Sequence, residues 1–294
     1  MRDWMSRFPH PYQAQSRFSD AAQDAPELWR TALGTLGGCV IYLALVWSAT
    51  AVLLPLFQDA RGGPAILIAQ LLLVALMGVA AAIIVQSWHK RPARTLFGDP
   101  VLARRDFLKV LPLQLIAIGM VGLTMAYAAP HVLVANRPFG QWLIILPIAL
   151  PAIILQCAAE EMVFRGYLQQ QLSARIRHPF IWLGLPSALF ALAHYSPALY
   201  GGNAWLVVLW AGVFGLAMAD LTARSGTLGA AIAVHISVNI SAILMVALPG
   251  DMGALALYVL PFGAEDANAF RALLPAEFLA LLISWLAARL ALRL

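Results

Sequence analysis

An all-α, polytopic transmembrane bundle of about eight spans is the fold class that the sequence predicts, from run length and composition together. The 294 residues are 62% hydrophobic and 11% charged, far more apolar than a soluble domain. Apolar runs recur along almost the whole length, each near or above the roughly 20 residues that cross a hydrocarbon core. Lys and Arg sit in the short connections between those runs, as a topology signal requires. Helix is the expected form because it satisfies its own backbone polar groups inside lipid.

Taken in order, the runs are Thr31 to Phe57, Pro64 to Trp88, Phe107 to Ala129, Trp142 to Leu168, Phe180 to Tyr200, Ala204 to Leu221, Thr227 to Leu248, and Ala272 to Ala288. Between the second and third stand Lys90, Arg91, Arg94, Arg104, Arg105 and Lys109, the densest basic cluster, which the positive-inside rule places in the cytoplasm. Arg175, Arg177 and Arg224 then fall on the same side, and both termini are expected there too. Asp251, Glu265 and Asp266 follow the seventh run on the opposite side. Isolated polar residues such as Gln114 and Asp220 read as snorkelling or interhelical contacts.

Residues 1–28 are too long and too polar for a signal-peptide n-region and read as a flexible cytoplasmic tail, leaving 29–294 as the transmembrane domain. The net charge of +5 is dispersed over short loops, so a topology role is favoured over nucleic-acid binding. Cys39 and Cys157 lie in separate apolar runs without a C-x-x-C partner, which implies packing residues rather than a disulfide framework.

Ionisable side chains inside membrane helices cost about 3 kcal/mol each on insertion scales, so they mark function. Three runs carry them: Glu160, Glu161 and Arg165 on the fourth, His194 on the fifth, His235 and Asn239 on the seventh. Glu161 and Arg165 are four apart and share a helix face in the favoured acid-before-base order, which makes Glu161 the neutralised, structural acid. Glu160 is turned roughly 100° away. It lies in low dielectric beside a second carboxylate, the setting of a general base acting on water. With a hairpin turn near Arg177, Glu160 and His194 lie at equal depth, about 25 Å along each helix. His235 and Asn239 share a face and can both donate hydrogen bonds, as an oxyanion hole requires. Zinc is the competing reading, with Glu160, His194 and His235 as ligands, although no H-E-x-x-H spacing is present.

These residues resemble the motif set of the CAAX-processing and bacteriocin-immunity family of intramembrane proteases, which includes the type II CAAX prenyl endopeptidases. That set is E-E-x-x-x-R, F-x-x-x-H and H-x-x-x-N on three helices. Glu160, Glu161 and Arg165 match the first, Phe190 and His194 the second, and His235 and Asn239 the third. The resemblance covers about 142–248. It implies an endopeptidase in which Glu160 with His194 activates water, Glu161 and Arg165 support the site, and His235 and Asn239 stabilise the oxyanion. No cofactor is required by that mechanism, while a metal-dependent variant would use zinc. The expected partners are the lipid bilayer and a membrane-associated peptide or protein substrate, prenylated and CAAX-like, at a bacterial cytoplasmic membrane. The alternatives are a catalytically silent immunity or partner-binding protein and, behind it, a proton-coupled transporter.

Overall fold

The computed structural model describes residues 9–24, 27–53, 55, 63–128 and 133–294. The expected ends of the first and third spans, at Phe57 and Ala129, and the first eight residues of the tail lie outside them. The helices in chain order are α1 (Gln13–Ser19), α2 (Leu28–Leu53), α3 (Pro64–Ser87), α4 (Pro100–Ala128), α5 (Phe139–Glu161), α6 (Gln170–Ser173), α7 (Pro179–Ala193), α8 (Pro197–Tyr200), α9 (Ala204–Ser225), α10 (Gly229–Asn239) and α11 (Ala267–Leu292). Among the described residues six continuous helical stretches are long and apolar enough to cross a membrane, and two shorter apolar ones, Pro179–Ala193 and Gly229–Met245, accompany them. The polytopic helical bundle is therefore the fold.

Local chemistry sets the ends. Pro opens α3, α4, α7 and α8, where its missing N–H is no loss. Asp99 Oδ1 accepts from the amides of Val101 and Leu102, and Asp266 Oδ1 from that of Ala269, which caps α4 and α11. Gly226 ends α9 in the left-handed conformation at φ 74°, returning its amide to Thr222 O.

The core is built around α10. Every residue from Gly229 to Ser237 is buried, and the helix packs on α4, α5, α9 and α11. Gly229 permits the approach to α4, because a Cβ there would run into the carbonyl oxygen of Ala103. On the other flank, a Cβ on Gly78 would meet Ala159 Cβ at 2.9 Å, so α3 lies directly against the end of α5. The outer helices face the other way. Leu36, Val40, Leu43 and Trp47 on α2 are all exposed, the surface of a helix that meets lipid tails.

Three features depart from the sequence reading. First, residues 9–24 are ordered, with Gln15, Ser16, Phe18 and Ser19 buried. Gln15 donates to Ser173 Oγ at 2.9 Å and accepts from Gln169 Nε2 at 3.1 Å, while Tyr12 donates to Asp220 at 2.9 Å. The polarity that suggested a free tail is consumed by polar residues at the ends of the membrane helices. Second, the basic connection after α3 is short and partly buried: Arg104, Arg105 and Lys109 belong to α4, and His89 and Arg91 are each 7% exposed. Third, a small sheet, β1 (Val134–Ala135), β3 (Tyr258–Val259) and β2 (Val246–Ala247) in that order, ties the 133–138 connection to the 246–266 connection. Asn136 reinforces it by donating to the carbonyls of Gly253 and Ala256, both at 2.8 Å.

Candidate active site

The fourth span changes its winding at the acidic pair. Helix α5 ends at Glu161, a π-helical stretch runs from Met162 to Gln169, and α6 completes the rod. The same happens beside the third motif, where α10 ends at Asn239 and a π-helical stretch follows over Ile240–Met245. Such wide turns re-aim side chains and often accompany functional sites. Neither is legible from apolar periodicity, because an inserted residue leaves composition unchanged.

Glu161 and Arg165 form the ion pair expected from their spacing. Arg165 Nη1 donates to Glu161 Oε1 at 3.0 Å, and both side chains are fully buried. Arg165 Nη2 donates to Gly215 O at 3.1 Å, and the guanidinium lies 4.8 Å above the centre of the Phe190 ring. Gly215 is needed there, since a Cβ would crowd Ser187 Cβ at 3.0 Å and separate α9 from α7.

His235 bridges the two carboxylates. Its Nδ1 lies 2.8 Å from Glu161 Oε1 and its Nε2 lies 3.4 Å from Glu160 Oε2. Glu161 Oε1 accepts from Nδ1–H, which turns Nε2 of the ring toward Glu160. Glu160 Oε2 is buried and has no hydrogen-bond partner among the described residues. The imidazole is fixed edge-on against Phe214, with ring centres 4.9 Å apart, and against Phe190 at 6.1 Å.

His194 and Asn239 are placed differently from the expectation. Helix α7 stops at Ala193, so His194 caps its end and is half-exposed, while Pro197–Tyr200 forms the separate helix α8. His194 Nδ1 lies 2.8 Å from Phe190 O, which accepts its proton and leaves Nε2 free. The His194 ring stands 4.5 Å from that of Phe190. Phe190 is thus the partition between the two histidines, and among the described residues neither hydrogen bond nor ion pair joins His194 to Glu160. Asn239 donates to Gln156 Oε1 at 2.8 Å and approaches Cys157 Sγ at 3.3 Å. His235 and Asn239 therefore engage successive turns of α5 rather than one point: Glu160 and Glu161, then Gln156 and Cys157.

Counted along its helix from Arg224, His235 would lie shallower than Glu160, and the start of α10 shows why that count misleads. Arg224 does not mark a bilayer surface: it pairs with Asp220 at 2.8 Å, which also accepts from Trp285 Nε1 at 2.9 Å. Thr227 and Leu228 are completely buried, under the 93–98 segment and α1. The α9–α10 turn is inside the protein, so counting residues from it as if from water understates the depth of His235.

Of the zinc ligands expected from the sequence, Glu160 and His235 are adjacent while His194 stands beyond Phe190, and among the described residues no three His, Cys, Asp or Glu groups are gathered to hold a metal ion. A groove of about 410 Å³ lined by Leu183, Val213, Leu216 and Trp285 includes none of the motif residues. The sequence reading passed over Phe214, Gly215, Gln156 and Cys157, and over Tyr42 of α2, which lies close enough to Glu160 to feel its charge. Only Phe190 had a signal, as the first letter of F-x-x-x-H.

Residues 141–241 match the family described as type II CAAX prenyl endopeptidase Rce1-like, and the match spans all three motifs. The matched stretch is about a third of the chain and is similar to that family. No curated protein and no solved structure matches the chain. The long apolar helices make the chain an integral membrane protein, and its 141–241 segment resembles the CAAX-type endopeptidases in general. The Rce1-like segment runs from the start of α5 to just past Asn239, so α2, α3, α4 and α11 lie outside it.

Proposed function

We propose that the protein is an intramembrane endopeptidase that hydrolyses a peptide bond of a membrane-associated, CAAX-like prenylated substrate with water activated by Glu160. The observation that carries this reading is His235 standing between two carboxylates of another helix, one neutralised by Arg165 and the other holding an oxygen free of protein hydrogen bonds.

In this reading the residues divide the work. Arg165 pairs with Glu161, and Glu161 fixes the orientation of His235. Glu160 Oε2, with His235 Nε2 beside it, holds a water and takes one of its protons as the oxygen attacks the substrate carbonyl carbon. The carbonyl becomes a tetrahedral oxyanion, to which Asn239, once freed from Gln156, supplies a donor. The C–N bond then breaks and Glu160 returns its proton to the leaving amine. His194, at the half-exposed end of α7 with Nε2 free, assists proton transfer from the substrate side of Phe190.

Replacing Glu160 by Gln removes the base and keeps the shape, so the reconstituted protein is expected to lose at least about 100-fold in cleavage rate while unfolding at an unchanged temperature. Membranes containing wild-type protein should hold peptide ends that are missing with Glu160→Gln. A purified Glu160→Gln protein that cleaves at the wild-type rate would remove Glu160 from the mechanism.

A further inference from the structure

Away from the acidic site, a second cluster of charge gathers where α2 begins, α3 ends and α6 follows the π-helical stretch. His89 Nε2 lies 3.0 Å from the hydroxyl of Tyr167. The Tyr167 hydroxyl donates in turn to Thr31 O at 3.4 Å, and His89 Nδ1 is buried without a hydrogen-bond partner among the described residues. Arg91 donates from Nη1 to Thr95 Oγ1 at 3.0 Å and to Gln170 Oε1. Its Nε and Nη2 are buried and have no hydrogen-bond partner among the described residues. Gln171, fully buried, has both amide atoms without hydrogen-bond partners among the described residues. Arg175 donates to Gln171 O at 2.6 Å and Arg30 pairs with Glu27 at 3.2 Å.

These groups act on one another. The charges of Arg91, Arg175 and Arg30 all bear on His89, and those of Arg91 and Arg175 on Tyr167. Burial first, and then these cations, push the His89 imidazole down to about 4. Buried like charges with unused donors are costly unless an anion completes them. Lys90, between His89 and Arg91, has φ 54°, a left-handed conformation rare for a side chain with a Cβ; strain of that kind is kept where a ligand is clamped.

The surroundings set the depth. Trp29 and Trp88 meet edge to face with ring centres 6.1 Å apart, and they are 53% and 38% exposed. Trp88 Nε1 donates to Arg30 O at 3.1 Å, which ties this pair to the cluster. Exposed Trp at the end of apolar helices sits at headgroup level. The half-exposed Arg30 and Arg175 lead from that level to the buried donors of Arg91.

We propose that Arg91 and Arg175, with Arg30 at the entrance, form a binding site for a phosphate group at the membrane surface. The unpartnered Nε and Nη2 of Arg91 give it a forked contact. The site is separate from Glu160 and stands whether or not the protein cleaves peptides.

Full-length protein purified in detergent tests it, titrated with phosphatidylglycerol, with diacylglycerol of the same chains, and with inorganic phosphate. Retained lipid is read by native mass spectrometry and protection by the unfolding midpoint. Phosphatidylglycerol should be retained and raise the midpoint. Arg91→Gln should weaken it by roughly tenfold or more, the loss of a charge-assisted forked contact, while Arg104→Gln, at an exposed position of α4, should not. Protection by inorganic phosphate that Arg91→Gln abolishes assigns the site to soluble phosphate; protection by the lipid alone assigns it to a headgroup. Where Arg91→Gln does not fold, Arg175→Gln should show the same loss. Equal retention of diacylglycerol, or undiminished phosphate and lipid binding in both variants, overturns the proposal.

Discussion

The span that carries Glu160 and the helix α2 are both long and strongly apolar, yet they spend their surfaces in opposite ways. None of the most apolar window of α2 is buried within the protein, whereas 33% of that of Phe139–Ser173 is. Buried alongside that apolar surface are Glu160, Glu161, Arg165, Gln169 and Gln170, and their partners come from α9, α10, α1 and the 91–95 segment. Lipid can replace protein around α2 at little cost. Around Glu161 nothing in the bilayer can replace His235 or Arg165.

That contrast can be broken most severely at the ion pair. Glu161→Gln leaves Arg165 buried beside a neutral side chain and should cost about 3–5 kcal/mol, read as a lowered unfolding midpoint in detergent and reduced yield. A variant as stable as the parent would mean that water, not protein, solvates Arg165.

A smaller loss is expected where α1 meets the end of the same rod. Gln15→Leu removes the donor to Ser173 and the acceptor for Gln169 and should cost about 1–3 kcal/mol. An unchanged midpoint would mean that the N-terminal helix rests on the bundle without holding it.

His89 sharpens the comparison through pH. Its imidazole, lowered from 6.5 to about 4 by burial and then by Arg91, resists protonation in the folded protein. The unfolded chain binds a proton as pH falls through 6.5, while the folded one does so only near 4. Stability from this group is therefore whole above 6.5 and drains away as pH falls toward 4. The unfolding midpoint should decline over that window, and His89→Gln should make the decline shallower; an identical profile would place the titration elsewhere.

The least effect belongs to the lipid-facing side. Leu43, 63% exposed on α2, should tolerate Ala within about 0.5 kcal/mol. A larger loss would identify that face as one covered by protein.

Much of the candidate site was legible because membrane helices make ionisable residues rare and therefore conspicuous. Glu161 with Arg165 followed from four-residue spacing alone, and the ion pair is present. The partner of Glu160 did not follow. Equal counting from a turn pointed to His194, but α7 ends early, Phe190 stands between, and His235 is the histidine at ion-pair distance. The burial of Gln15, Ser16 and Ser19 was also hidden, because Gln and Ser read the same in sequence whether they face water or a satisfied polar interface.

The sequence by itself determined that the chain spans a membrane as helices, since hydrocarbon tolerates no unpaired backbone and the runs have the length to cross it. It also singled out the candidate site residues, because charge in lipid is too expensive to be incidental. Only the tertiary structure decided which of those residues meet. Pairing across helices depends on two π-helical turns, the close crossings at Gly229, Gly78 and Gly215, and a turn at Thr227 sunk below the surface. Each of these shifts a side chain by a fraction of a helical turn, which residue spacing along one strand of sequence does not encode.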